Sequence, residues 1–242
     1  MTWLAIDTAT DLASVAVGTP AGALAAATVA GSRVQAAQII ELVDRCLRPL
    51  HLTPAQLSGI VVGDGPGSFT GLRIGWASAK GLAQERGLRL VAVPSLLAAA
   101  AGAAAAGGAG AGPVAAWFDA LRGQVFGALY LLQADRVETV VPPTLATPEQ
   151  IVERAPARAR LVVGGGAVKY AAAVERWSGA RPIALDAIRP GAVSLLLLVD
   201  RAGRSLDDVA VAEPDYGRPA EAQVKWEARH GRPLPDSPSP RG

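Results

Sequence analysis

The sequence predicts an α/β protein built from two related lobes, on three observations. The chain opens with a strand meander followed by helices. A second strand meander and a second set of helices begin after residue 112, and an alanine- and glycine-rich stretch separates the two sets. Such alternation of strands and helices favours sheets flanked by helical layers over an all-helical or all-strand fold. A chain of 242 residues, half of them apolar and 18% charged, can bury a core of the size this needs. The expected division is 1–107 for the first lobe, 108–212 for the second and 213–242 for a proline-rich charged tail with a disordered end.

In the first lobe, WLAIDTA reads as a buried strand that ends on Asp7 and Thr8. SVAVGTPAGALAAATV reads as two more strands around the turn signal Thr19-Pro20-Ala21-Gly22. QAAQIIELVDRCLRPL carries apolar residues at helical spacing. Ala36, Ile40, Val43, Leu47 and Leu50 form one face, and Ile39, Leu42 and Cys46 form a second beside it. A helix that covers a sheet needs one stripe, so the second predicts contact with another helix, from this chain or another. GIVVGD is a further buried strand, LRIGWASAKGLAQE a helix stopped by Gly87, and LRLVAVP a strand. Gly71, Gly75, Ser78 and Ala79 place small residues close together on one side of that helix. This too marks close helix packing, within the chain or across an interface.

GAAAAGGAGAG, residues 102–112, is expected to be flexible. Beyond it, VAAWFDALRGQVFGALYLL reads as strand, turn and strand, with Asp119 closing the first strand as Asp7 does earlier. RVETVV adds a third strand, RLVVGGG runs into a glycine turn, and helices are expected at PEQIVERA, AVKYAAAVERW and AVSLLLLVDRAG. The uncharged run 90–118 is mostly alanine and glycine and is interrupted by Pro94 and Pro113, so it does not read as a membrane span. No basic leader precedes Asp7, and a single cysteine excludes an internal disulfide. The expectation is a cytoplasmic protein that meets no membrane.

Chemistry centres on GDGPGSFTGLRIG, residues 63–75. Its glycines permit positive φ, and Ser68 or Thr70 can cap the helix that follows. Free N–H groups at such a helix start attract phosphate, so Asp7, Thr8, Gly65, Gly67, Ser68 and Thr70 form a candidate phosphate site. A plain capped turn uses the same residues, and both readings stand. No Gly-Lys-Ser/Thr follows, so the loop is not of the kind that cleaves nucleotides. Asp7 and Asp119 could hold a metal-bound phosphate across a cleft, or simply cap turns. The two histidines, His51 and His230, lie outside any ligand or triad spacing, and Cys46 sits among apolar neighbours. A net charge of +2 without a visible basic stripe permits RNA contact but does not indicate it.

LAIDTAT, VVGDGPGSFTGLRIGWASAKGLA, VAVPSLLAAA, DALRGQVFGALY and PDYGR, in that order, resemble the TsaB (YeaZ) family. The likeness is strong over residues 3–130 and weaker over 131–218; its most specific part is Gly65 to Arg73. The resemblance implies a two-lobed actin-like ATPase (ASKHA) fold, a duplicated ribonuclease H-like unit with mixed sheets. It implies a non-catalytic subunit that binds and activates TsaD. TsaD transfers a threonylcarbamoyl group to N6 of the adenosine beside the anticodon, in tRNAs reading codons that start with A. Helices of the first lobe would dock TsaD, with Gln35, Ile39, Leu42, Val43, Cys46, Gly71, Gly75, Ser78 and Leu82 as candidate interface residues. TsaE would join the assembly, a homodimer could use the same helices, and tRNA would be met only through the complex. No metal or resident cofactor is implied; a nucleotide would bind weakly or at the complex interface, and the phosphate turn would be vestigial. Gln35 stands where the family often has histidine, Glu41 where it often has proline, and Gly217 where it has a leucine-like residue. The competing expectations are an autonomous phosphotransferase or nucleotidase of the same fold, using the Gly65–Gly71 turn, and a free-standing RNA-binding module.

Overall fold

The computed structural model describes residues 1–31, 36–107, 112–133, 136–218, 226 and 229–231. Two sheets define the architecture. The first has the strand order β10-β5-β4-β1-β2-β3, with β1 Trp3–Asp7, β2 Leu12–Thr19, β3 Gly22–Ala30, β4 Gly59–Gly63, β5 Arg89–Val93 and β10 Arg204–Ser205. The second has the order β8-β7-β6-β9, with β6 Pro113–Asp119, β7 Val125–Leu132, β8 Val137–Ala146 and β9 Leu161–Val163. Each sheet starts from an antiparallel meander and then adds a parallel strand beside its first: β4 beside β1, and β9 beside β6. The repeated order is the duplication of the two-lobed actin-like ATPase fold.

Alternation along each central strand decides what lies on either side. In β1, Leu4 and Ile6 face outward with Val15 and Val17 of β2, toward helices α1 (Ala36–Leu47) and α2 (Phe69–Arg86). Trp3, Ala5 and Asp7 take the opposite face. That face meets α3 (Ser95–Ala106) and α7 (Gly191–Ala202), which lie between the sheets in one continuous core with Val114, Ala116 and Phe118 of β6. Beyond the second sheet come α4 (Pro148–Arg154), α5 (Gly165–Lys169) and α6 (Ala171–Ser178), with Trp117 and Trp177 stacked at 5.7 Å. The order is therefore five layers, with a shared helical layer in the middle.

Several expectations need correction. Residues 102–106, expected to be a flexible stretch, complete α3, which is buried along most of its length. Alanine and glycine serve there because the layer is tight: a Cβ on Gly102 would stand 3.1 Å from Ser194 Oγ of α7. The division at residue 107 cleanly separates neither the strands nor the helices: β10, which follows it, pairs with β5 in the first sheet. α3, which precedes the cut, packs on β6, β7 and β9, whereas α7, which follows it, packs on β1, β2 and β4. AVKYAAAVERW forms two short helices that break at Tyr170. β8 continues through Pro142 and Pro143, which a sheet tolerates at its edge. Residues 213–218, assigned to the tail, lie across the glycine loop; most of residues 219–242 fall outside the described set.

The buried face of α1 combines the two expected stripes. Ile39, Leu42, Val43, Cys46 and Leu47 are buried against β2 and β3, and Cys46 donates its thiol hydrogen to the Val15 carbonyl at 3.6 Å. Ile40 is 49% exposed and Ala36 is exposed. Val43 and Leu47 of the first expected stripe thus share the sheet-facing side with Ile39, Leu42 and Cys46 of the second. Leu42→Ala is accordingly expected to cost about 2–4 kcal/mol in urea unfolding, while Ile40→Ala changes stability by no more than about 0.5 kcal/mol.

Candidate functional site

The cleft between the lobes is built around Asp7. Its side chain, 8% exposed at the end of β1, points toward the central helices. Oδ1 accepts the Ala9 N–H at 3.2 Å and the Ser95 hydroxyl at 3.4 Å, and Ser95 Oγ in turn accepts the Gly65 N–H at 3.2 Å. Oδ2 lies against Gly191, the first residue of α7, at a distance only glycine permits. Burial pushes the Asp7 carboxyl up from its ordinary value of 3.8 to about 6, partly offset by the hydrogen bonds from Ala9 and Ser95. The adjoining cavity measures about 20 Å³ and is walled by Thr10, Phe118, Leu185, Ile188 and Arg189. One water fits such a space; a nucleotide needs a pocket of several hundred Å³.

The glycine loop is occupied by the chain itself. A Cβ on Gly67 would strike the Ala9 carbonyl, one on Gly71 the Thr8 carbonyl and one on Gly75 the Thr8 hydroxyl. On the other side, Gly65, at φ +98°, faces the Asp215 carbonyl. Ser68 caps α2 by accepting the Gly71 N–H at 3.2 Å, and the Ser68 N–H donates to the Ala9 carbonyl. Thr70, the alternative cap, is exposed in the first turn of the helix. The candidate phosphate residues Asp7, Thr8, Gly65, Gly67 and Ser68 thus come together, but their close approaches are made to backbone of this chain. Asp119 does not join Asp7: it is held on the far lobe by Lys169 at 2.8 Å and by the Leu121 N–H.

A strap that the sequence reading named only as a late motif closes this site. Lys80 of α2 donates to the Ala210 and Ala212 carbonyls at 2.7 and 2.9 Å, and Arg204 pairs with Asp64 at 2.9 Å. The Asp215 N–H donates to the Asp64 carbonyl, and Tyr216 packs on Phe69 with ring centroids 4.7 Å apart. Gly217, at φ +67°, lies where a side chain would meet Pro66 and Phe126, the physical reason for glycine in place of a leucine-like residue. Arg218 then crosses to the second lobe, donating to the Ala120 carbonyl at 2.8 Å above the Phe126 ring.

The candidate interface residues are corrected by the same geometry. Ile39, Leu42, Val43, Cys46 and Gly75 are buried within the chain, so none can contact a partner directly. Gly71 is half-buried against Thr8, and Ser78 and Leu82 are half-buried, Leu82 against the outer core. Gln35 lies outside the described residues. Exposed in their place are Ile40, Glu41, Asp44 and Arg45 on α1, and Thr70, Arg73, Ala77, Gly81 and Gln84 along one face of α2. Gly81 has nothing within 4 Å of where its Cβ would be. Among the described residues, no three His, Cys, Asp or Glu side chains are grouped to hold a metal ion, and no helix is long and apolar enough to cross a membrane.

Because its native carboxyl titrates near 6 and its unfolded one near 3.8, Asp7 favours the folded state below about pH 4. That contribution is lost as the pH rises through 6, a change of about 3 kcal/mol. Asp7→Asn is expected to remove this descent, so the difference in unfolding free energy between variant and parent should grow in the variant's favour from pH 4 to pH 7. A difference independent of pH would contradict it.

Comparison with known proteins agrees with this architecture. The family model described as TsaD: tRNA N6-adenosine threonylcarbamoyltransferase matches residues 30–184. The tRNA threonylcarbamoyladenosine biosynthesis protein TsaB of Bacillus subtilis is 32% identical over 232 residues, covering 93% of this chain and 98% of the relative. TsaB of Escherichia coli is 34% identical over 148 residues, 59% of this chain and 63% of the relative. The structure of YeaZ from Pseudomonas aeruginosa superposes with a TM-score of 0.72 at 30% identity, covering 89% of this chain and 99% of that one. With its duplicated sheets and near-complete alignment to the TsaB of Bacillus subtilis and the YeaZ of Pseudomonas aeruginosa, the chain belongs to the TsaB family.

Proposed function

We propose that this chain is a non-catalytic subunit of the assembly that makes threonylcarbamoyladenosine on tRNA, and that it docks and activates the catalytic paralogue TsaD. The observation that carries the reading is the alignment with a TsaB over 98% of that relative's length. The geometry supports an accessory role. The cleft in which an actin-like ATPase fold would house a nucleotide has a cavity of about 20 Å³ beside Asp7, and the glycine loop is packed against Thr8, Ala9 and Asp215. An autonomous phosphotransferase would need both places open.

Docking falls to the outer faces of α1 and α2. Gly81 sits in the interior of an 18-residue helix, where glycine costs about 1 kcal/mol relative to alanine. No described residue lies within 4 Å of the space it leaves. Together with Ala77, one turn earlier, it offers a flat strip on which a partner helix can approach closely, with Ile40 supplying exposed apolar area on α1. TsaD is the partner in this reading, TsaE joins the pair, and a homodimer forms through the same strip in the absence of TsaD, all in the cytoplasm.

Three outcomes follow. Gly81→Ala is expected to stabilise the isolated chain by about 0.5–1 kcal/mol. Ile40→Glu and Ala77→Glu are expected to weaken TsaD association by about tenfold or more, roughly 1.4 kcal/mol, with the unfolding midpoint unchanged. Reconstituted tRNA modification should need this chain yet survive Asp7→Ala, and calorimetric titration with ATP should show neither tight binding nor turnover by the chain alone. Full TsaD binding by both glutamate variants would refute the docking face; loss of modification with Asp7→Ala at unchanged complex formation would refute the accessory role.

A further inference from the structure

Sheet topology gathers arginines that the linear sequence disperses. In the second sheet, β6, β8 and β9 run one way and β7 runs against them. The starts of β6, β8 and β9 and the finish of β7 therefore share one end, opposite the Asp119 turn. Arg158 and Arg160 lead into β9 on either side of the buried Ala159. Ile183 bridges Val163 in parallel, which brings Arg181 beside Leu161 at that same end. Arg154, in the last turn of α4, stands on the segment that returns to the start of β9.

All four arginines are exposed, and Arg154, Arg158 and Arg181 make no ion pair with any described residue. At the same sheet end, Arg136 precedes β8 and Arg201 of α7 donates to the Gln133 carbonyl at 2.6 Å. Glu138 is committed to Arg136 at 3.3 Å, and Glu153 lines a groove with Glu149 and Arg176. Guanidinium groups suit phosphate because their planar fork donates two parallel hydrogen bonds, and arginine keeps its charge at any working pH.

We propose that this arginine end of the second lobe binds the phosphate backbone of tRNA. The proposal rests on the role in tRNA modification argued above and adds a contact by this chain itself, where the sequence alone indicated tRNA contact only through the complex. Position agrees with it: the arginines lie on the second lobe, whereas the strip on α1 and α2 forms the outer layer of the first. The chain can therefore hold a protein partner and an RNA at once.

The test uses the full chain, alone and mixed with TsaD, and a fluorescent unmodified tRNA transcript, with anisotropy read from 50 to 300 mM KCl, a range in which phosphate contacts are strongly weakened. The variant Arg154→Ala/Arg158→Ala/Arg181→Ala is expected to lose about tenfold or more in tRNA affinity at the lowest salt. The slope of log affinity against log salt should shrink by about two to three. Replacing the same three by lysine should retain most of both. Size-exclusion chromatography with TsaD in the absence of RNA reads the docking role separately, and the triple variant should co-elute as the parent does. Unchanged tRNA affinity and slope in the alanine variant would overturn the proposal. So would equal binding to vesicles of 30% phosphatidylglycerol in phosphatidylcholine, a surface charge that mimics phosphate without RNA.

Discussion

The close approach of α3 and α7 in the layer between the two sheets is the constraint on which the rest of the molecule depends. Gly102 brings the two helices within a Cβ of each other, and the alanines of α3 let both sheets reach the same thin layer. Larger side chains would push the lobes apart and reopen the cleft. With the layer this thin, Asp7 is carried into the core, Gly191 must lack a side chain, and the cavity beside them shrinks to the size of a water. Burial then raises the Asp7 carboxyl, so a charged group is held near the core at a cost to folding at neutral pH.

The strap completes what the helices begin. From Ala210 to Arg218 it runs over α2, the glycine loop and the far lobe, held by Lys80 on two of its carbonyls, by the Asp215 N–H on the Asp64 carbonyl, and by Arg218 on the Ala120 carbonyl. The loop that opens α2 has the composition of an anion site. In this chain its glycines admit the backbones of two other segments, so the residue type is retained while its use is different.

Most of the strand order could be read from residue patterns, because β1, β4 and β6 are short apolar runs bounded by turn residues. The two acids at the ends of β1 and β6 also exposed the repeat. α3 could not be read. An alanine–glycine run has no periodicity to distinguish a helix buried on all sides from a flexible linker, and only the presence of a sheet on each side settles the matter. α1 misled for a different reason. Two apolar stripes lie side by side, and choosing between Ile39 and Ile40 requires knowing where β2 and β3 sit. Five of the candidate interface residues, Ile39, Leu42, Val43, Cys46 and Gly75, turned inward, whereas Asp7 and the glycine loop did come together at the ends of the neighbouring strands β1 and β4. The arginine end of the second lobe had no signal in the sequence beyond the spacing of Arg154, Arg158 and Arg160; Arg181 joins them through a parallel bridge that composition does not reveal.

The exchange of α3 and α7 between the lobes bears on how the molecule could be cut or shuffled. Severed at the low-complexity run near residue 107, the front fragment would keep a helix whose sheet has left, and the rear fragment would take away the cover of its neighbour's strands. Neither could be transplanted into another protein as a self-sufficient module. An ancestral tandem repeat has thereby become a single inheritable object, and lineages that trim it would have to do so from the ends.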